Sequence, residues 1–274
     1  MRETPRTVVI TGGSDGIGAA AARRLHDDGN RVVLVGRNRQ KTLALAGELG
    51  VPSYIADFVE LDQVRDLAVA LDRDIEHIDV LANNAGGIMG AERTLTVDGF
   101  ERTFQVNHLA PFLLTNLLLP RLRGSIVIQT ASVAARRFAR FVIDDLQGEG
   151  RWDAASAYGN AKLANILFTR ELDRRFGPDL SAVSFHPGVV ATSFAAGAGG
   201  AWEFLYHNPI AQRLLTSTEK GGSRLVWLAE GTPGATWERG GYYERNRPAR
   251  THALADDPAV ARELWERSAA LVGV

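Results

Sequence analysis

Short apolar runs alternate along the chain with longer segments in which apolar residues recur every three or four positions. The runs at 7–11, 31–36, 53–56, 80–83 and 125–130 are apolar and β-branched almost throughout, as strands buried on both faces are. Between them the helical spacing predicts helices over 16–28, 41–49, 60–75 and 99–122. Such alternation predicts βαβ crossovers, and therefore a parallel sheet with helices on both faces. After Ser132 a longer polar connection leads to a predicted helix at 154–176, a strand at 181–186 and a Gly/Ala-rich stretch at 195–201. No linker or repeat divides the chain, so the expectation is one α/β domain over residues 1–274.

Composition narrows the chemistry. The 274 residues are 45% hydrophobic and 23% charged, enough for one substantial core. A formal net charge of -1 with dispersed arginines supplies no field for nucleic acid or an anionic membrane, so a small-molecule partner is expected. The absence of cysteine removes disulfides, thiolate metal sites and Cys nucleophiles, and the six histidines form no metal-binding pair. No metal is expected. The first ten residues lack a signal-peptide core and no run is long enough to span a membrane, which predicts a cytoplasmic protein with no integral membrane segment.

The first predicted strand runs into Thr11, Gly12, Gly13, Ser14, Asp15, Gly16, Ile17 and Gly18, and then into a helix. A dinucleotide pyrophosphate needs this context: glycines remove Cβ atoms where backbone meets phosphate, and a helix N-terminus offers free N–H groups. The expected architecture is accordingly a Rossmann-type doubly wound sheet. Arg37 and Asn38 follow the second strand, where an acidic residue would bind the ribose 2′-hydroxyl of NAD. An arginine fork suits a 2′-phosphate instead, so NADP(H) is favoured over NAD(H), although Asp15 adds a nearby negative charge. Asp57, with Phe58 beside it after the third strand, fits an acceptor for the adenine amino group and fits a helix cap equally well.

The second half carries a reactive pattern. Asn83, Asn84, Ala85 and Gly86 end the fourth strand, Asn107 lies in a long helix, Ser132 follows the fifth strand, and Tyr158 precedes Lys162 by one helical turn. A free tyrosine titrates at about 10 and is a poor acid–base group at neutral pH; a lysine on the same helix face lowers that barrier. Pro111, four residues beyond Asn107, has no N–H to return to the Asn107 carbonyl, which leaves room for a bound water or marks a plain kink.

In order and spacing these motifs resemble the short-chain dehydrogenase/reductase family over nearly the whole chain, including His186-Pro187-Gly188 and Gly240-Gly241-Tyr242-Tyr243. The stretches Val106–Leu109, Lys162–Asn165 and Leu264-Trp265 are similar to its retinol-dehydrogenase-like branch, which includes WW-domain-containing oxidoreductases. The resemblance implies that Tyr158 exchanges a proton with the substrate oxygen, Lys162 supports it, Ser132 holds the oxygen, and Asn107 completes the set. It also implies cofactor contacts from Asn83, Ala85, Gly86, Pro187, Gly188, Val190 and Thr192 beside those of the glycine turn, with Tyr158 and Lys162 touching the nicotinamide side. The interval from Ser132 to Tyr158 is longer than in compact members, and Thr130 is a secondary hydroxyl candidate.

The expected activity is NADP(H)-dependent hydride transfer between nicotinamide and a carbonyl or alcohol. A lid near 193–220, with Phe194, Trp202, Phe204, Leu205 and Tyr206, suggests a lipophilic or aromatic ketone or aldehyde. Two other classes remain: a non-catalytic dinucleotide-binding regulator, and an isomerase or epimerase using transient hydride transfer. A homo-oligomer is among the states the resemblance allows.

Overall fold

Six expected strands form with small boundary shifts in the computed structural model, which describes residues 5–188 and 216–274. They are β1 Thr7–Thr11, β2 Arg31–Gly36, β3 Ser53–Ile55, β4 Val80–Asn83, β5 Ser125–Thr130 and β6 Leu180–His186. Two short strands with little apolar signal, β7 Tyr242–Glu244 and β8 Arg247–Pro248, extend the sheet. The order is β3-β2-β1-β4-β5-β6-β7-β8, parallel throughout except for β8. Because β1 lies between β2 and β4, the crossovers leave it in opposite directions and open a crevice at the C-terminal strand ends.

Successive strand side chains point to opposite faces, and each face acquires its own helix layer. Val9, Val33, Val35, Leu81 and Val127 pack with α3 Leu61–Asp74, α5 Ala110–Leu117, α7 Ala154–Phe176 and α9 Pro258–Val272. Val8, Ile10, Leu34, Val80 and Ile128 pack with α1 Gly16–Asp27, α2 Arg39–Leu49 and α8 Thr218–Glu230. α1 and α8 approach closely because small residues face each other: a Cβ on Gly222 would lie 2.9 Å from the Ala20 Cβ, and one on Gly221 2.9 Å from Ile17. Among the described residues no helix is long and apolar enough to cross a membrane.

The helix expected over 99–122 is broken into pieces. The Glu101 carboxylate accepts from the Thr103 and Phe104 N–H groups (3.0 and 2.7 Å) and starts the short α4, Arg102–Phe104. A π-helical turn, Gln105–Leu109, follows; the Ala110 N–H reaches five residues back to the Gln105 carbonyl just before Pro111. After α5 a 3₁₀ turn at Leu119–Arg121, containing Pro120, ends the run. His108 pins this turn to α9, its Nε2 lying 2.9 Å from Ser268 Oγ. Burial among Phe104, Phe112 and Phe168 pushes its pKa down to about 3 and keeps it neutral.

Candidate active site

A cleft of about 570 Å³ runs along the C-terminal strand ends. Of the residues expected at the site, Gly12, Ser14, Asp15, Gly16, Ile17, Arg37, Asn38, Asp57, Phe58, Ala85, Gly86, Ser132, Tyr158, Lys162, Pro187 and Gly188 line it. Thr11, Gly18, Asn83 and Asn107 stand behind its walls. Val190, Thr192 and residues 193–215 of the expected lid, with its aromatic residues, lie outside the described residues. A wider open groove between α1 and the start of α8 shares Ser14, Asp15, Gly16 and Lys41 with the cleft but contains none of the reactive set.

At the nucleotide end the glycine turn is held by close backbone packing. Gly12 has φ 63°, and a Cβ there would lie 2.9 Å from the Ala85 Cα; one on Gly18 would lie 2.2 Å from the Gly12 carbonyl. Thr11 is fully buried, and its Oγ1 accepts from the Asn84 and Ala85 N–H groups, each at 3.0 Å. Asn84 Nδ2 donates to the Thr11 carbonyl at 3.0 Å, so the turn after β1 and the exit of β4 are stitched together. Asn83 instead turns inward and donates to Thr115 Oγ1 at 2.9 Å.

Asp15 caps α1 by accepting from the Gly16 N–H at 2.7 Å, and its other oxygen lies 2.6 Å from Lys41 Nζ. Lys41 therefore offsets the negative charge that Asp15 brings, though both partners are about half exposed and such a pair is worth little in water. Arg37 is exposed and makes no hydrogen bond or ion pair among the described residues, whereas the Asn38 side chain caps α2 by accepting from Lys41 N at 2.9 Å. Asp57 is not the helix cap: α3 starts after Glu60, and Asp57 Oδ1 accepts from Val59 N at 3.2 Å in a tight turn.

At the reactive end Asp153 starts α7 by accepting from the Ser156 N–H at 2.9 Å, which sets Tyr158 and Lys162 on one face. Gly159 lets the preceding chain pass closely; a Cβ there would be 2.7 Å from the Ala139 N and 3.0 Å from the Ala134 carbonyl. Lys162 is 1% exposed, donates to the Thr130 carbonyl at 2.9 Å and has its Nζ 5.5 Å from the Tyr158 ring centre. Burial pulls its pKa down to about 7.

Asn107 clasps the backbone under this pair: Nδ2 donates to the Gly87 carbonyl (2.8 Å) and Oδ1 accepts from the Gly87 N–H (3.0 Å). A Cβ on Gly86 would lie 2.4 Å from Asn107 Oδ1 and 3.1 Å from Lys162 Nζ, so these groups meet only across a glycine. Ser132 Oγ accepts from the Ala134 N–H at 3.2 Å at the start of α6, Ala134–Arg137, while Thr130 Oγ1 lies 3.4 Å from Asn84 Oδ1. Sequence reasoning missed Lys41, Ile88, Met89, Arg102, Phe138 and His186 as cleft residues. Lys41, one of three lysines and four positions after Arg37, carried a usable signal, as did His186 immediately before Pro187-Gly188; Ile88, Met89, Arg102 and Phe138 reach the cleft through tertiary packing that no local pattern encodes.

The short chain dehydrogenase family profile matches residues 6–200. A protein of Streptomyces sp. (strain C5), DnrU, which carries the provisional name daunorubicin C-13 ketoreductase, is 44% identical over 98% of this chain and 93% of its own. Human retinol dehydrogenase 13 is 34% identical over 98% of this chain and 85% of its own. The solved structure of Pseudomonas aeruginosa RhlG in an NADP active-site complex superposes with a TM-score of 0.69 at 26% identity, over 88% of this chain and 94% of that one.

Proposed function

The chain belongs to the short-chain dehydrogenase/reductase family, in its retinol-dehydrogenase-like branch, and is a nicotinamide-dependent oxidoreductase of CH–OH and C=O groups; from that premise we propose that it is an NADP(H)-dependent reductase of lipophilic or aromatic ketones or aldehydes. The observation that carries this reading is the convergence of Ser132, Tyr158 and Lys162 in one cleft with the glycine turn.

A nicotinamide dinucleotide fits the residues present. Gly12, Gly16 and Gly18 remove side chains at the turn, the α1 N-terminus faces the cleft, and Asp57 and Phe58 border the adenosine end. Arg37 and Lys41 flank the place where a 2′-phosphate would lie, and the NADP bound by the related RhlG favours the same cofactor. Ala85, Gly86, Pro187 and Gly188 border the nicotinamide end, with Asn83 and Thr11 bracing the strand exits behind them. When bound, the nicotinamide supplies or accepts the hydride.

Ser132 holds the substrate oxygen by its hydroxyl, and Tyr158 gives that oxygen its proton as the carbonyl is reduced. Lys162 stabilises the resulting phenolate, and with a pKa of about 7 it is poised to hold or pass on a proton near neutrality. Asn107 fixes the Gly86-Gly87 backbone beside Lys162 rather than lining the cleft. Ile88, Met89, Val133 and Phe138 supply apolar wall, which supports a lipophilic substrate.

The test is NADPH and NADH oxidation across carbonyls matched in reactivity but varied in apolar size. Net oxidation with NADPH preferred is the expected result. Tight cofactor binding without net hydride transfer would favour the regulator or the isomerase, and equal use of NADH would remove the role given to Arg37.

A further inference from the structure

Three neighbouring parallel strands, β5, β6 and β7, end on the same side of the sheet, and arginines reach that side from α6, from α8 and from the residue after β7. After β5, α6 closes on Arg136 and Arg137. β6 ends at His186, whose register partner in β7 is Glu244, and Arg245 comes next. From α8, the Arg224 guanidinium reaches the same edge: a Cβ on Gly188 would lie 2.9 Å from its Nη1. Arg137, Arg224 and Arg245 make no side-chain hydrogen bond or ion pair among the described residues.

His186 lies in the cleft wall, level in the sheet register with Glu244, the residue before Arg245. It is 9% exposed, and its Nδ1 is buried without a hydrogen-bond partner. Burial first, then the Arg224, Arg137 and Arg245 charges, push its pKa down to about 4, so it stays neutral and adds no positive charge of its own. Burial and Arg245 likewise pull the Arg224 pKa below the usual guanidinium value, with Glu244 acting in the opposite sense. Glu244 is the acid of this edge, and its Oε1 accepts from the Tyr242 hydroxyl at 3.3 Å.

Gathering like charges costs free energy unless an anion answers them, and planar guanidiniums match the oxygens of a carboxylate or phosphate. We propose that Arg137, Arg224 and Arg245 form a subsite for an oxyanion, a carboxylate or phosphate monoester, carried by the carbonyl substrate at the end remote from its reacting carbon. The substrate then has an apolar body against Ile88, Met89 and Phe138 and a charged tail at the β5–β7 edge. This rests on the reductase reading and deepens it.

The experiment uses phenyl ketones whose alkyl chains, of increasing length, end in a carboxylate or a phosphate monoester, each beside its neutral methyl ester or alcohol. The wild type is compared with Arg137→Gln, Arg224→Gln and Arg245→Asn; asparagine is chosen because residue 245 has φ 51°, which it tolerates. At one tail length or more, the anionic ketone should exceed its neutral counterpart in kcat/KM by about tenfold or more, a preference that shrinks with added salt. Each substitution should cut that ratio by about threefold to tenfold, and the triple variant should bring it near unity. Neutral ketones equalling anionic ones at every length would overturn the proposal. So would substitutions that lower both partners alike while raising the KM for NADPH, since the anion recognised would then be the cofactor's own phosphate. If no ketone of any kind oxidised NADPH, the reductase reading itself would fall, a pattern distinct from turnover without discrimination.

Discussion

Replacing Lys162 with methionine should abolish turnover and yet stabilise the cofactor-free protein, the reverse of what loss of a buried, hydrogen-bonded side chain ordinarily does. The unfolded chain holds this proton up to about pH 10.5 and the folded protein only up to about 7. Below pH 7 both states are charged, and the folded state bears the whole cost of burying an ammonium, on the order of 5 kcal/mol. That cost shrinks as pH rises above 7 and disappears above about 10.5, so lysine burial penalises the wild type most in neutral and acidic solution. Methionine has a similar length and no charge. It forfeits the 2.9 Å hydrogen bond to the Thr130 carbonyl, which keeps Asn165 Nδ2 at 3.4 Å as a weak donor. Taking about 1–3 kcal/mol for that loss leaves a net gain of about 2–4 kcal/mol below neutrality. For a chain of this size the gain is a rise of about 4–16 °C in Tm. Urea unfolding and calorimetry of both proteins from about pH 6 to about pH 10 would measure it, with the advantage greatest at the acid end and gone at the alkaline end. A variant less stable at pH 6, or a difference independent of pH, would refute the reasoning.

Tyr158→Phe should leave folding and NADPH binding intact while lowering kcat by about 10²- to 10⁴-fold; near-normal turnover would remove Tyr158 from the chemistry. Arg37→Ala should weaken NADPH binding by about tenfold or more and leave NADH binding little changed, and calorimetric titration showing equal losses would contradict a phosphate contact. Gly86→Ala should reduce both Tm and kcat, because its Cβ would meet Asn107 Oδ1 at 2.4 Å and Lys162 Nζ at 3.1 Å at a residue with φ 155°. Unchanged values would show that Asn107 and Lys162 can move apart without consequence.

Periodicity alone was enough to read β1, β2, β4 and β5 to the residue, since a strand covered on both faces must be apolar throughout. The Tyr158–Lys162 spacing and the glycine turn were legible for a similar reason: each is a local geometric requirement, one helical turn in one case and a Cβ-free bend in the other. What local pattern left open is whatever depends on two distant segments meeting. The break of the 99–122 helix needs Pro111 together with the Glu101 cap, and the neutral His108 is intelligible only once Phe104, Phe112 and Phe168 bury it and Ser268 on α9 meets its Nε2. Lys41 acquires its meaning from Asp15, twenty-six positions earlier, and Asp57 loses its capping role because α3 starts after Glu60. Gly86 reads in sequence as a strand-ending turn; in the fold it is the gap through which Asn107 and Lys162 approach. Arg137, Arg224 and Arg245 are dispersed in sequence, and only the parallel register of β5, β6 and β7 together with the packing of α8 against Gly188 brings them to one side of the sheet. Chain spacing determines which face a side chain takes; which charges then confront one another is decided by the packing of elements whose contacts no local periodicity encodes.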